Sequence, residues 1–402
     1  MMNDKLTGKH SPWLLPDAVE ELLPPDARAL EQLRRTSLDT CERWGYALVM
    51  PPVIEYLEAL LSGVAHDLDL QTFKLTDQLS GRMMGVRADI TPQAARIDAH
   101  QLRGEGTVRL CYTGTVLRTR PEAPGGARNP LQLGAELYGH AGIESDVEII
   151  ALMAEVLAEA GIEQLHLDLG HVGIFRGLAE QAGLSAEVEA ALWDALQRKA
   201  TVDIATLLDE HDVPAPHRDR LSALARLSGG VDVLDEARSV LAGANGVVNE
   251  ALDALAAIAN ALTQWLPGLI LHIDLGELRG YRYHTGVVFA AYTPGVAQEL
   301  ARGGRYDDIG AVFGRARPAT GFSTDLKALY AAVRKPQAIE AVGAIAAPWG
   351  EDPVLHARVK ALRGAGERVL WLLSGGAEDA RAQGCDRMLA SGPDGDWQVV
   401  DI

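Results

Sequence analysis

The chain has 402 residues, 48% hydrophobic and 23% charged, which suits two or three soluble globular domains with a large core and excludes global disorder. Acidic side chains number 55 against 37 basic ones, a net charge of −18 with no run of Lys or Arg, so a phosphate backbone would be repelled and no nucleic-acid partner is expected. The three cysteines, Cys41, Cys111 and Cys385, are odd in number and far apart, which fits neither a disulfide framework nor a CxxC metal site; reduced thiols in a cytosol are the plain reading.

The opening MMNDKLTGKH has no apolar run, and no apolar stretch in the chain reaches about 18 residues, so neither secretion nor a membrane is expected and the location expected is cytoplasmic. Residues 25–44 predict a helix, because Ala29, Leu30, Leu33, Leu38 and Cys41 recur at helical spacing. YALVMPPVIEY follows as an extended segment broken by Pro51 and Pro52. Strands are predicted at 82–90, 108–118 and 131–140, with a helix over 91–102 that Thr91 caps and Pro92 opens. Ser145 with Glu148 reads as a capping box before a helix that Gly161 closes. A strand at 165–170 leads into an Ala/Leu-rich stretch, 172–265, of helical period only. Strand signals return at 269–276, 286–292 and 297–301; a helix over 321–334 and a linker at Pro336 precede a short alternating α/β segment. The fold class expected is α+β: an antiparallel sheet core flanked by helices (1–171 and 266–332), a helical insertion (172–265) and a small C-terminal α/β domain (333–402).

Polar residues stand where a half-buried strand face is normally apolar. Gln132, Gly134 and Glu136 share one face of a strand, while Leu133 and Ala135 take the other. Arg87, Asp89 and Thr91 alternate in the same way. ELRGYRYHTG packs two Arg, two Tyr and His284 into ten residues, and ARGGRYDD sets Arg305 and Tyr306 directly after a glycine pair. Taken singly, such a strand face is more often solvated, such a glycine pair more often a turn, and RGYRYHTG could be a solvated hairpin.

Taken in order, these segments resemble the catalytic core of class II aminoacyl-tRNA synthetases, and within that class the histidyl branch. WGYALVMPPVIEY looks like motif 1, whose proline would be Pro52. Arg118 followed by LQLGAELYG looks like motif 2. ELRGYRYHTGVVF is similar to the histidine-specific RGLDYYTGTVFE, and ARGGRYDDI to GGGRYD. The resemblance spans about residues 10–332. It implies that Asp89, Thr91 and Gln132 hold an α-ammonium group. Glu136 with Tyr306 and His284 would take the imidazole of L-histidine, Arg279, assisted by Arg118, would pair with the carboxylate, and Tyr283 would join them in the histidine site. The chain departs from the active pattern elsewhere. Motif 2 reads LRTRPEAPGGARNPLQ in place of FRxERPxxGRxREFxQ. The Gly-Leu-Glu-Arg that ends motif 3 becomes Asp325, Leu326, Lys327 and Ala328, which removes the arginine fork that would clamp ATP phosphates. Asp325 beside those phosphates would add repulsion of up to about 4 kcal/mol at about 4 Å with an effective dielectric of about 20. The C-terminal segment is shorter than an anticodon-binding domain, and acidic.

A kept amino-acid pocket beside a lost nucleotide grip is similar to the ATP phosphoribosyltransferase regulatory subunits, paralogues of histidyl-tRNA synthetase. That resemblance implies a subunit with no catalytic residue, no aminoacylation, no metal and no cofactor. It implies assembly with the short-form catalytic subunit of histidine biosynthesis in a hetero-octamer, self-association through the motif 1 region, activation of the partner, and feedback inhibition by histidine. Three rivals stay open at this point: an active histidyl-tRNA synthetase, another amino-acid ligase or sensor on the same fold, and an α+β protein whose motifs line an empty pocket.

Overall fold

Leu133, Ala135 and Leu137 alternate with Gln132, Gly134 and Glu136 along one strand, and this alternation sets the layering of the larger part of the chain. The computed structural model describes residues 13–61, 66–122, 125–281, 283–333 and 343–402; the linker expected at Pro336 lies outside them. Two units divide between residues 334 and 335.

In chain order the first unit runs through helix α1 (Asp26–Arg43), strands β1 (Ala47–Leu48) and β2 (Ile54–Tyr56), helices α2 (Leu57–Leu61) and α3 (His66–Gln71), strands β3 (Phe73–Thr76) and β4 (Met83–Val86), and helix α4 (Thr91–Arg96), which widens into a π-helical turn over Ile97–Leu102. Strands β5 (Val108–Thr115) and β6 (Leu131–Tyr138), helix α5 (Ile143–Glu159) and strand β7 (His166–His171) follow. Helices α6 (Val172–Ala182), α7 (Ala186–Gln197), α8 (Thr201–Glu210) and α9 (Ala215–Ala223) precede strand β8 (Ser228–Gly229) and helices α10 (Val233–Val240) and α11 (Gly246–Trp265). Strands β9 (Ile270–Asp274), β10 (Val287–Tyr292), β11 (Ala301–Arg305) and β12 (Ala319–Asp325) and helix α12 (Leu326–Val333) complete it.

Nine strands form one sheet in the order β1-β5-β6-β12-β11-β10-β7-β9-β8. From β5 to β7 every neighbouring pair is antiparallel, and β1 and β9 add in parallel on either side. β2, β4 and β3 make a separate antiparallel sheet. The apolar face of β6 packs on Ile149, Ile150, Met153 and Val156 of α5, and Leu252, Leu255, Ile258 and Leu262 of α11 join the same core. Each such side chain, fully buried, stabilises by about 1.5–3 kcal/mol. The opposite face of β6 is left for the site.

Several elements differ from the sequence reading, each for an identifiable reason. The segment from Gly321 to Asp325 is the end of strand β12, not the start of a helix; Phe322 lies in the apolar core while Gly321 and Ser323 face the other way, a pattern masked because a central strand is covered on both faces. The glycine pair before Arg305 is strand, not turn: Gly303 and Gly304 pair with Phe322 and Gly321, and the strand begins at Ala301 rather than Ala297. Ser145 lies inside α5, whose N-cap is Gly142. Its hydroxyl donates to the Gly142 carbonyl and accepts from Arg305, while Glu148 takes Arg109 and Tyr46. Thr91 makes no side-chain cap; its N–H donates to Asp89 Oδ1 at 2.9 Å. The stretch 172–265 holds one short strand, β8, at the sheet edge, and its helices share the core of the large sheet.

The second unit contains strands β13 (Ala344–Pro348), β14 (Val369–Leu372), β15 (Cys385–Ser391) and β16 (Trp397–Asp401), and helices α13 (Pro353–Gly364) and α14 (Ala377–Ala382). Its sheet runs β14-β13-β15-β16. Ile345 and Ala347 pack with Leu355 and Val359 of α13. The alternate residues Ala344 and Ala346 pack with Ala380 of α14. A strand apolar on both sides is therefore covered by one helix on each face.

Candidate functional site

Antiparallel register lines up residues that share a face, and one cross-strand row reads Glu136, Gly321, Gly304, Val288. The two glycines leave a trough beside the carboxylate. A Cβ on Gly321 would meet Glu136 and the Tyr306 hydroxyl, and one on Gly304 would meet the His284 ring at 2.8 Å. The trough opens into a cavity of about 280 Å³, close to the lower end of ligand pockets at about 300 Å³.

All nine residues singled out in the sequence line it: Asp89, Thr91, Arg118, Gln132, Glu136, Arg279, Tyr283, His284 and Tyr306. Glu136 is 1% exposed. One oxygen accepts from Tyr112 Oη at 2.8 Å and the other from the Tyr306 hydroxyl; Thr91 Oγ1 lies 2.9 Å from Tyr112 Oη, so donation runs from Thr91 through Tyr112 to Glu136. Burial, and next the charge of Asp89, push Glu136 well above the usual carboxylate range against these hydrogen bonds. Asp89 and Gln132 are tied together: Gln132 Nε2 donates to Asp89 Oδ1 at 2.8 Å, and Gln132 Oε1 accepts the Ile90 N–H at 2.9 Å. Asp89, Gln132 and Glu136 thus bring acceptors for N–H groups to the lining of one cavity.

The segment before β10 forms a further wall of the cavity. His284 Nδ1 is 3.0 Å from the Arg279 carbonyl, so that nitrogen carries the proton, and the ring lies 4.2 Å from that of Tyr283. Burial, with Arg302 nearby, lowers His284 to about 4 and keeps the ring neutral. The backbone of this segment is fastened from the helical stretch. Arg176 donates to the carbonyls of Tyr281 and His284, Trp193 Nε1 to that of Leu278 at 3.0 Å, and Gln197 Nε2 to that of Gly276 at 3.1 Å.

The arginines that line the cavity are already paired. Arg118 pairs with Glu122, Glu122 with Arg302, Arg302 with Glu299, Glu299 with Arg279 and Arg279 with Glu277, an unbroken alternation of three guanidinium groups and three carboxylates. Arg279 is therefore held by two glutamates rather than open. Beyond these arginines a second cavity of about 470 Å³ is lined by Arg118, Asp325 and Ala328. Asp325 Oδ1 accepts the Leu131 and Lys327 N–H groups, each at 3.0 Å, so the residue that replaces a motif glycine joins β6 to the start of α12.

Sequence reasoning missed Tyr112, Glu122, Glu299 and Arg302. Tyr112 and Glu299 left no signal, since a buried tyrosine and a lone glutamate are ordinary. Arg302 did leave one: it stands at the first glycine of the GGGRYD pattern. Arg305, the last residue of β11, faces away from the cavity and pairs with buried Asp146 at 3.0 Å, which anchors the strand end that Tyr306 follows. Among the described residues there is no group of three His, Cys, Asp or Glu placed to hold a metal.

The family profile described as "Histidyl-tRNA synthetase" matches residues 18–329, and that described as "ATP phosphoribosyltransferase subunit HisZ C-terminal domain" matches residues 342–400. The ATP phosphoribosyltransferase regulatory subunit of Thioalkalivibrio sulfidiphilus is 59% identical over 97% of this chain and 98% of its own. That of Alkalilimnicola ehrlichii is 57% identical over 98% and 99%. Among solved structures, an ATP phosphoribosyltransferase regulatory subunit/histidyl-tRNA synthetase from Bacillus halodurans superposes with a TM-score of 0.82 at 26% identity, over 95% of this chain and 98% of that one. The antiparallel core is thus the histidyl-synthetase fold, in agreement with the fold class expected from the sequence.

Proposed function

This chain belongs to the family of ATP phosphoribosyltransferase regulatory subunits, and from that premise we propose that its cavity receives L-histidine as the signal for feedback inhibition. It is the regulatory rather than the catalytic subunit of that enzyme, and a catalytic subunit is its partner. The partner we infer is the short-form catalytic subunit, which condenses ATP with phosphoribosyl pyrophosphate at the start of histidine biosynthesis. This chain raises the partner's activity and transmits inhibition. A cytoplasmic hetero-octamer goes with that reading; among the described residues no helix is long and apolar enough to cross a membrane.

One observation carries the ligand assignment: the acceptors of Asp89, Gln132 and Glu136 and the guanidinium group of Arg279 line one cavity, while the adjoining cavity presents Asp325 and Ala328 where a phosphate clamp would stand. A zwitterion with a ring N–H suits such a lining. In this arrangement Asp89, Thr91 and Gln132 take the ammonium group, Glu136 with Tyr306 takes the ring, and Arg279, assisted by Arg118, takes the carboxylate. Tyr283 and His284 close one side as a neutral wall. Inhibition follows when histidine binds one arrangement of the complex better than the other, and only by that difference in affinity.

Self-association through the motif 1 region is part of the proposal. Leu48, Met50, Val53, Ile54, Tyr56 and Met83 are exposed around β1, β2 and β4, a patch of the kind that marks interfaces. Calorimetry on the isolated chain with histidine and with ATP, alongside inhibition assays of the assembled complex, tests the function. Heat from histidine and none from ATP is expected; tight ATP binding with no histidine response in the complex refutes it.

A further inference from the structure

Glu122 and Glu299 have no part in the reading above, yet between them they hold all three arginines that separate the two cavities. Arg279 is gripped on two sides. Glu277 pairs with it at 3.1 Å, also accepts its backbone N–H at 2.9 Å, and has a nearly buried side chain. Glu299 pairs with the other terminal nitrogen, makes its second bond to Arg302 at 2.8 Å, and is the more exposed of the two. A third carboxylate arriving at Arg279 would meet two like charges, so one has to leave. Glu277 is anchored by main chain and burial, which leaves Glu299.

We propose that Glu299 is an internal stand-in for the ligand's carboxylate: an amino acid entering the cavity exchanges its own carboxylate for Glu299 on Arg279. The displaced Glu299 then changes its hold on Arg302, and Arg302 its hold on Glu122, so occupancy reaches the segment following Arg118. No bond is made or broken in the exchange beyond ion pairs, and the number of carboxylates on Arg279 stays the same. The proposal rests on the histidine reading and adds to it the means by which binding is reported outside the cavity. It also assigns a role to Arg302, which reaches Glu122 and Glu299 from a position where the related motif carries glycine.

The test uses the full chain, titrated calorimetrically with L-histidine and with L-histidinol, which lacks the carboxylate. Removing an internal competitor raises the fraction of binding-competent protein, so Glu299→Gln and Glu299→Ala are expected to bind histidine at least about threefold more tightly than wild type, with histidinol affinity unchanged. Amide hydrogen exchange over residues 116–122 is expected to quicken when histidine binds the wild type. Thermal melts verify that both variants are folded, and the glutamine variant retains the side-chain volume. Histidine affinity unchanged or reduced in both variants overturns the exchange, as does an equal gain for histidinol. If the wild type takes up no histidine at all, the ligand assignment itself falls and the exchange with it.

Discussion

Glu136 combines deep burial with two phenolic donors, and this division of labour predicts which property fails when it is changed. Glu136→Ala is expected to weaken inhibition by histidine while leaving activation of the partner largely intact; inhibition and activation assays on the same complex check it, and equal loss of both refutes the separation. His284 gives a pH signature. Its folded value, about 4, lies below the ordinary 6.5, so the unfolded chain binds more protons between the two. Stability from this group is complete above the ordinary value and is lost as pH falls towards about 4. The shift corresponds to roughly 3 kcal/mol, and His171, also lowered to about 4 by burial, adds to the same slope. His284→Gln is therefore expected to flatten the acid limb of a melt-versus-pH series by up to that amount without abolishing it. Glu136 acts with the opposite sign: with its folded value raised, it favours the fold below the usual carboxylate range and loses that contribution as pH rises. These nine side chains were legible only together, through the resemblance of their segments to the histidyl-synthetase motifs, since each segment taken singly is ordinary. The bonds that engage Arg279 were not, because Glu299 is twenty positions away and nothing in its own neighbourhood marks it.

At the scale of elements, glycine placement matters more than any polar residue. β12 and β11 can stand beside Glu136 only because Gly321 and Gly304 have no side chain facing the trough. Gly321→Ala sets a methyl group against a carboxylate that two tyrosines hold in place, and is expected to destabilise by about 1–3 kcal/mol and to abolish detectable histidine binding. Thermal denaturation with calorimetry checks both, and a variant that still binds as wild type contradicts the account of the trough. β5, β6, β7 and β10 were readable from alternation or apolar content. β12 was not: its small and hydroxylated residues read as a helix start, and only pairing with β6 and β11 shows Gly321, Ser323 and Asp325 on one face. Ser145 misled for a related reason. Its spacing to Glu148 matched a cap, but Arg305, 160 positions away, claimed its hydroxyl. Long-range partners override local signals wherever a buried charge needs several hydrogen bonds.

For the whole molecule, the exposed apolar patch around β1, β2 and β4 predicts the assembly state. Met50 is 80% exposed, and Met50→Glu is expected to shift the isolated chain from dimer to monomer in sedimentation velocity while leaving its melting temperature within about 0.5 kcal/mol of equivalent stability; an unchanged sedimentation coefficient removes the patch from consideration. The helical stretch 172–265 has a second consequence at this scale. Its Arg176, Trp193 and Gln197 hold the wall of the cavity at four peptide oxygens, those of Gly276, Leu278, Tyr281 and His284. Every residue type offers the same oxygen, so this clamp is blind to what the wall displays. The side chains between the fastening points can be exchanged, and the recognition they provide rewritten, without unhooking the wall from its frame. A scaffold built in this way can change what it senses and still keep the shape in which it does so.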